Sequence, residues 1–233
     1  MVNVPAASGR GHTVRSYDEE MSHLTSLIMQ MGGRAEKQVA DAMQALVERD
    51  PAIAAEVIRR DDKVDRLEEE IDQQVIRLLA TRQPMAIDLR IIAMALKISN
   101  DLERMSDYAV SIAKRARRLA EQPAFKPLVT LPRITAICLG MVKDVLDAYV
   151  ERDTHKAMDV WNRDEEVDQL YDGLFRELIT YMLEDPRRIS ACTDYLFIAK
   201  NIERIGDHAT NIAEKINYMI HGAQINKPRH DES

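Results

Sequence analysis

The sequence predicts an all-α protein made of two tandem, pseudo-symmetric three-helix bundles, six long helices in all. Three observations carry that expectation. Gly and Pro number only eight each in 233 residues, and helix-favouring residues such as Ala, Leu, Met, Glu and Arg fill nearly every window. Helix-breaking punctuation is sparse and falls at matching places in the two halves. The chain also repeats itself over most of its length.

The clearest repeat is Asp101-Leu102-Glu103-Arg104-Met105-Ser106-Asp107-Tyr108-Ala109, which returns as Asn201-Ile202-Glu203-Arg204-Ile205-Gly206-Asp207-His208-Ala209. Upstream, Arg60-Asp61, Val64-Asp65 and Leu67 return as Arg163-Asp164, Val167-Asp168 and Leu170, 103 positions later. Glu48-Arg49-Asp50 returns as Glu151-Arg152-Asp153 at the same spacing. Between these blocks the spacing falls to 100, which places a three-residue deletion in one turn of the second half, the one around 184–187.

Residues 1–15 are polar and lack an apolar period, and are expected to form a disordered tail. The first helix is predicted over 16–48, closed by Asp50-Pro51, which supplies the next helix with an N-cap and a proline in its first turn. The second runs to 81, broken by Gln83-Pro84, and the third covers 87–121, so that 16–121 is the first bundle. Pro123, Pro127 and Pro132 mark 122–132 as the linker. A fourth helix to 152, a fifth over 154–183 and a sixth from Asp185-Pro186 to 221 make 133–221 the second bundle. Gly222 ends it, and 222–233 is a polar tail. Helices of about 30 residues are about 45 Å long, so each trio is a rod and the two rods lie side by side.

Net charge is −7 with basic residues interleaved among acids, so no basic stripe invites nucleic acid or an anionic membrane. Arg115, Arg117 and Arg118, the densest basic cluster, are expected to oppose the dipole at a helix end. Cys138 and Cys192 sit in apolar helical contexts and are read as buried thiols of a reducing compartment. No apolar run approaches the roughly 18 to 20 residues of a membrane helix, and no secretory signal opens the chain, so a cytoplasmic location without membrane insertion is expected. Trp161 occupies the position of Ile58 and is expected in the core, with the methionines as adaptable filler.

The repeated phrase sets two carboxylates four residues apart on one helix face, Glu103 with Asp107 and Glu203 with Asp207. Like charges at that spacing repel by about 0.2–0.5 kcal/mol, a cost that a multivalent cation would offset. On a helical wheel the first pair lies off the main apolar face but in line with Leu89, Ile92, Leu96 and Val110, a second apolar stripe. If the second and third helices of each trio run antiparallel, Asp61 and Asp65 face Glu103 and Asp107, and Asp164 and Asp168 face Glu203 and Asp207. Oxygen-only ligation of this kind suits Mg²⁺, Ca²⁺, Mn²⁺ or Fe³⁺. The other reading of each pair is an exposed face salt-bridged by Arg104 or Arg204. His208 is expected to cap a network beside Asp207. No Gly-rich phosphate loop or nucleophile setting occurs, and no catalytic residue is assigned.

Together with Asp61-Asp62-Lys63-Val64-Asp65 and Ile87-Asp88-Leu89-Arg90, these phrases resemble the PhoU family of bacterial phosphate-signalling regulators, over about 16–219 and in both repeats. The resemblance implies paired three-helix bundles, a cytoplasmic homodimer, and multinuclear clusters of iron, with Mn, Mg, Zn or Ca as other candidates, at the acid-x-x-x-Asp motifs. The matching positions are Glu103, Asp107, Glu203 and Asp207, with Asp61, Asp65, Asp164 and Asp168 as companions. It further implies a non-enzymatic adaptor that links the ATPase subunit of the phosphate-specific ABC transporter to a sensor histidine kinase and represses the phosphate-starvation regulon when phosphate is plentiful. The alternative is a metal-dependent enzyme acting on a phosphate compound. Ser106 stands where the family more often has Gly, so the two sites need not hold metal alike.

Overall fold

The structure, a computed structural model, describes residues 9–123 and 129–223, with side chains from residue 15 onward. Parts of the expected tails (1–8 and 224–233) and of the linker (124–128) lie outside the described residues. Among the described residues there is no strand, and the two halves repeat the same helix order. The first half is α1 (Gly9–Glu48), α2 (Pro51–Arg59), α3 (Asp62–Arg82) and α4 (Ala86–Ala120); the second is α5 (Thr130–Glu151), α6 (Thr154–Asn162), α7 (Asp164–Glu184) and α8 (Ile189–His221). Helix α1 thus starts before the expected residue 16, and α5 holds Pro132 in its first turn, where a proline costs no hydrogen bond.

The six predicted legs are present, but the middle leg of each trio is bent into two helices. Local capping explains both bends. After α2 the Arg60 N–H turns back to the carbonyls of Glu56 and Val57, and its guanidinium reaches Glu56 at 2.6 Å and Asp41 at 2.9 Å. The next helix then opens on Asp61, Asp62 and Asp65, acids favoured at a helix N-terminus. Arg163 and the run Asp164, Glu165, Glu166 do the same between α6 and α7, and Arg163 pairs with Asp144.

Each first helix ends identically. Arg49 and Arg152 adopt left-handed backbone, with φ of 56° and 55°, and turn the chain onto an aspartate cap. Asp50 Oδ1 accepts from the N–H groups of Ala52 and Ile53 at 2.7 and 3.3 Å, and Asp153 Oδ1 accepts from those of His155 and Lys156 at 2.8 and 3.1 Å. Asp185 caps a single 3-10 turn, Pro186–Arg188, before α8. Gly222, at φ 71°, closes α8 by donating to the Tyr218 carbonyl at 2.8 Å.

Helix α4 packs on α1 in its own half and on α8 in the other, while α1 also meets α5. That shared packing corrects the reading of the second apolar stripe. Ile92 and Val110 are buried, at 0% and 5% exposure, because α4 carries two covered faces and not one; only Leu89 of the stripe is strongly exposed. At the crossing of α1 and α5, Gly32 leaves no room for a side chain: a Cβ there would lie 2.6 Å from the buried Leu146 methyls. Trp161 is half-buried, as is its counterpart Ile58, and both cysteines are buried free thiols.

Candidate metal centre

The two acid constellations grow from the same geometry. Helix α3 or α7 opens with an aspartate at the bend, and its first turn lies along the middle of α4 or α8, where the Glu-x-x-x-Asp pair projects.

In the first half, Asp61 and Asp107 both come close enough to Asp65 to repel its charge. Burial, then Asp61 and then Asp107 raise the Asp65 carboxyl above its ordinary value. Glu103 is pushed up to about 7, first by desolvation and then by Asp107, against the opposing pull of Arg104. Glu68, one turn farther along α3, adds to the charge felt by Glu103 and is itself raised, first by burial and then by Asp72. Sequence reasoning passed over Glu68, although its spacing from Asp65 places it on the same helix face.

The salt-bridge reading is also partly on view here. Arg104 lies 3.7 Å from Glu103 and 3.4 Å from Asp107. The second half lacks that arrangement: Arg204 sits over the Tyr108 ring, 5.8 Å from its centroid, and Lys200 takes Glu203 instead, at 2.6 Å.

In the second half the acids are deeper. Glu203 is 9% exposed, and its Oε2 is buried with no hydrogen-bond partner. Desolvation, then Glu203 and then Asp168 raise Asp207. Asp164, Asp207 and Glu203 all reach Cys138, whose thiol is pushed up to about 12 chiefly by burial.

The acids of both constellations offer hard oxygen donors, and in the second half an inner oxygen of Glu203 is left over. That chemistry suits a hard multivalent cation. Among the described residues, however, no three acidic, His or Cys side chains are arranged as a ready ligand shell.

The halves differ at the residue where the repeat differs. The Ser106 hydroxyl lies 2.5 Å from Gln38 Oε1 and 2.9 Å from Asp61 Oδ1, tying the bend to α1 and α4. At the equivalent Gly206, a Cβ would meet Cys138 Sγ at 3.5 Å and Asp164 Oδ1 at 3.8 Å.

His208, expected to cap a network beside Asp207, joins one that reaches across to α4. Its Nδ1 lies 2.9 Å from Asp101 Oδ1, a buried carboxylate on α4 that also accepts from Lys215 Nζ at 2.5 Å. Arg115 and Arg118 likewise do more than oppose a helix dipole: both engage Asp194 of α8, Arg115 at 3.8 Å.

Comparison with known proteins agrees with this architecture. The PhoU domain model matches twice, over residues 28–116 and 131–216, once in each half. A phosphate-specific transport system accessory protein PhoU homolog of Caulobacter vibrioides is 51% identical over 219 residues, covering 94% of this chain and 95% of that protein. The homolog of Zymomonas mobilis is 46% identical, covering 94% and 92%. The crystal structure of PhoU from Pseudomonas aeruginosa superposes with a TM-score of 0.86 at 40% identity, covering 89% of this chain and 100% of that one. That of the phosphate transport system regulatory protein PhoU from Streptococcus pneumoniae gives 0.84 at 28%, covering 91% and 100%. With both halves matched and the whole architecture shared, this chain belongs to the PhoU family.

Proposed function

We propose that this protein regulates phosphate uptake as a non-enzymatic adaptor. It contacts the ATPase subunit of the phosphate ABC transporter and a sensor histidine kinase, and represses phosphate-starvation genes when phosphate is plentiful. The observation that carries the reading is the 51% identity, across nearly the full length of both chains, to a phosphate-specific transport system accessory protein. The reading includes a cytoplasmic homodimer; no helix among the described residues is long and apolar enough to cross a membrane.

The site chemistry supports an adaptor over a phosphate-processing enzyme. The one thiol among the acids, Cys138, is held protonated by burial and is unfit as a nucleophile. Glu103, Asp107, Asp61 and Asp65, and in the second half Glu203, Asp207, Asp164 and Asp168, would hold the metal ions. Bound cations would offset carboxylate repulsion and stiffen the bend against α4 and α8.

Affinity capture of the tagged protein from phosphate-replete cells tests the partners. Recovery of the transporter ATPase or the sensor kinase supports the reading, and recovery of neither contradicts it. Turnover of a generic phosphoester by the purified protein with Mn²⁺ or Mg²⁺, above buffer and abolished by Glu103→Ala with Asp107→Ala, would establish the enzyme instead.

A further inference from the structure

A second site lies beside the first acid cluster, on its other flank. Arg34, Lys37, Gln38, Arg60 and Lys63 line a cavity of about 280 Å³ between α1 and the α2–α3 bend. Four of the five are cations. Lys37 and Arg60 share Asp41, at 3.1 and 2.9 Å, and Arg60 also takes Glu56. Among the described residues neither Arg34 nor Lys63 has an ion-pair partner. The fifth, Gln38, is 3% exposed, and its side-chain amide lies against the Ser106 hydroxyl, which is also 2.9 Å from Asp61 Oδ1. Like charges lining one cavity repel one another unless an anion fills the space.

The internal repeat supplies a control within the same molecule. At 103 positions later, Arg60 and Asp41 correspond to Arg163 and Asp144, which form the same ion pair. That pair is therefore the structural part. The remaining positions correspond to Ile137, Gly140, Met141 and Glu166, and the equivalent of Ser106 is Gly206. Where the second half has Ile, Gly, Met and Glu, the first has Arg, Lys, Gln and Lys.

We infer that this cavity binds a small multivalent oxyanion of the phosphate class, with Arg34, Lys37 and Lys63 as charge partners. Guanidinium and ammonium groups supply charge-assisted hydrogen bonds to phosphoryl oxygens, and the cavity is large enough for one phosphoryl group and its water. The inference is independent of the adaptor role: it predicts a ligand whether or not the chain contacts a transporter or kinase.

Equilibrium dialysis of the full chain, stripped of metal and kept in chelator, tests it with radiolabelled inorganic phosphate, tripolyphosphate and ATP as probes. Saturable binding to one site is expected. Lys63→Glu, which installs the residue of the second half, and Arg34→Ala should each weaken it about ten-fold or more. Both positions are exposed and free of ion pairs among the described residues, so the fold should hold, as checked by unchanged helical circular dichroism. Lys143→Glu on α5, an equal charge change elsewhere, should alter affinity less than two-fold. Loss confined to the cavity variants with inorganic phosphate identifies the free oxyanion; the same pattern with only tripolyphosphate or ATP identifies a phosphoryl group on a larger molecule. No saturable binding of any probe, or equal weakening by Lys143→Glu, overturns the inference.

Discussion

His208 Nδ1 on α8 lies 2.9 Å from Asp101 Oδ1 on α4, and this contact joins the two halves at their symmetry axis. Tyr108 and His208 hold equivalent places in the repeat, and their rings meet with centroids 5.7 Å apart. Asn201, the equivalent of Asp101, reaches back across the same interface to Ser111 Oγ at 3.0 Å. The duplicated helices therefore face each other, and the tie made by Asp101 is charged where that made by Asn201 is neutral.

That tie has an energetic consequence. Asp101→Ala leaves Lys215 and His208 half-buried without their anion, and should lower unfolding free energy by about 3 kcal/mol in urea titration. Asp101→Asn, which matches the other half, should cost clearly less.

The raised carboxyl of Glu103 predicts a pH dependence. Its folded-state pKa is about 7 against an ordinary 4.5, so between those values the folded protein keeps a proton that the unfolded chain has released. The stability linked to that proton is fully present below about pH 4.5 and is lost as pH rises through 7. Glu103→Gln should flatten thermal stability across this window and raise Tm at pH 8. A saturating divalent cation that binds the cluster should reverse the wild-type slope.

The difference between the two bends is testable by exchange. Ser106→Gly removes the hydroxyl shared by Gln38 and Asp61 and adds a helical glycine, and should cost about 2 kcal/mol. Gly206→Ala has ordinary contact distance to Cys138 and should stabilise by about 0.5–1 kcal/mol. Chemical denaturation of both variants reads the two effects.

Metal content can be assigned half by half. Glu103→Ala with Asp107→Ala should lower the metal bound to protein purified without chelator, and Glu203→Ala with Asp207→Ala should remove a second, separate portion. Equal metal in all three proteins by elemental analysis would leave the acids as a crowded, ion-paired surface.

Much of the fold was legible because its signals are local. Asp50-Pro51, Gln83-Pro84 and Gly222 act through their own backbone, and the repeat announced itself. The bends at Arg60 and Arg163 were also written in the sequence, as acidic runs that favour a helix start, but those acids were read only as ligands. What a helical wheel does not contain is the identity of the covering surface. Ile92 and Val110 were read as a second apolar stripe, and both are buried in the fold. The partners of Asp101 and Gln38 were invisible for the same reason, since each lies on a helix distant in sequence.

The central claim is regulation of phosphate uptake, and the most direct test is alkaline phosphatase activity in a strain lacking this gene, grown in phosphate-rich medium. The account predicts high, derepressed activity that falls to the wild-type level when the gene is restored. Activity as low in the deletion strain as in the wild type would contradict it.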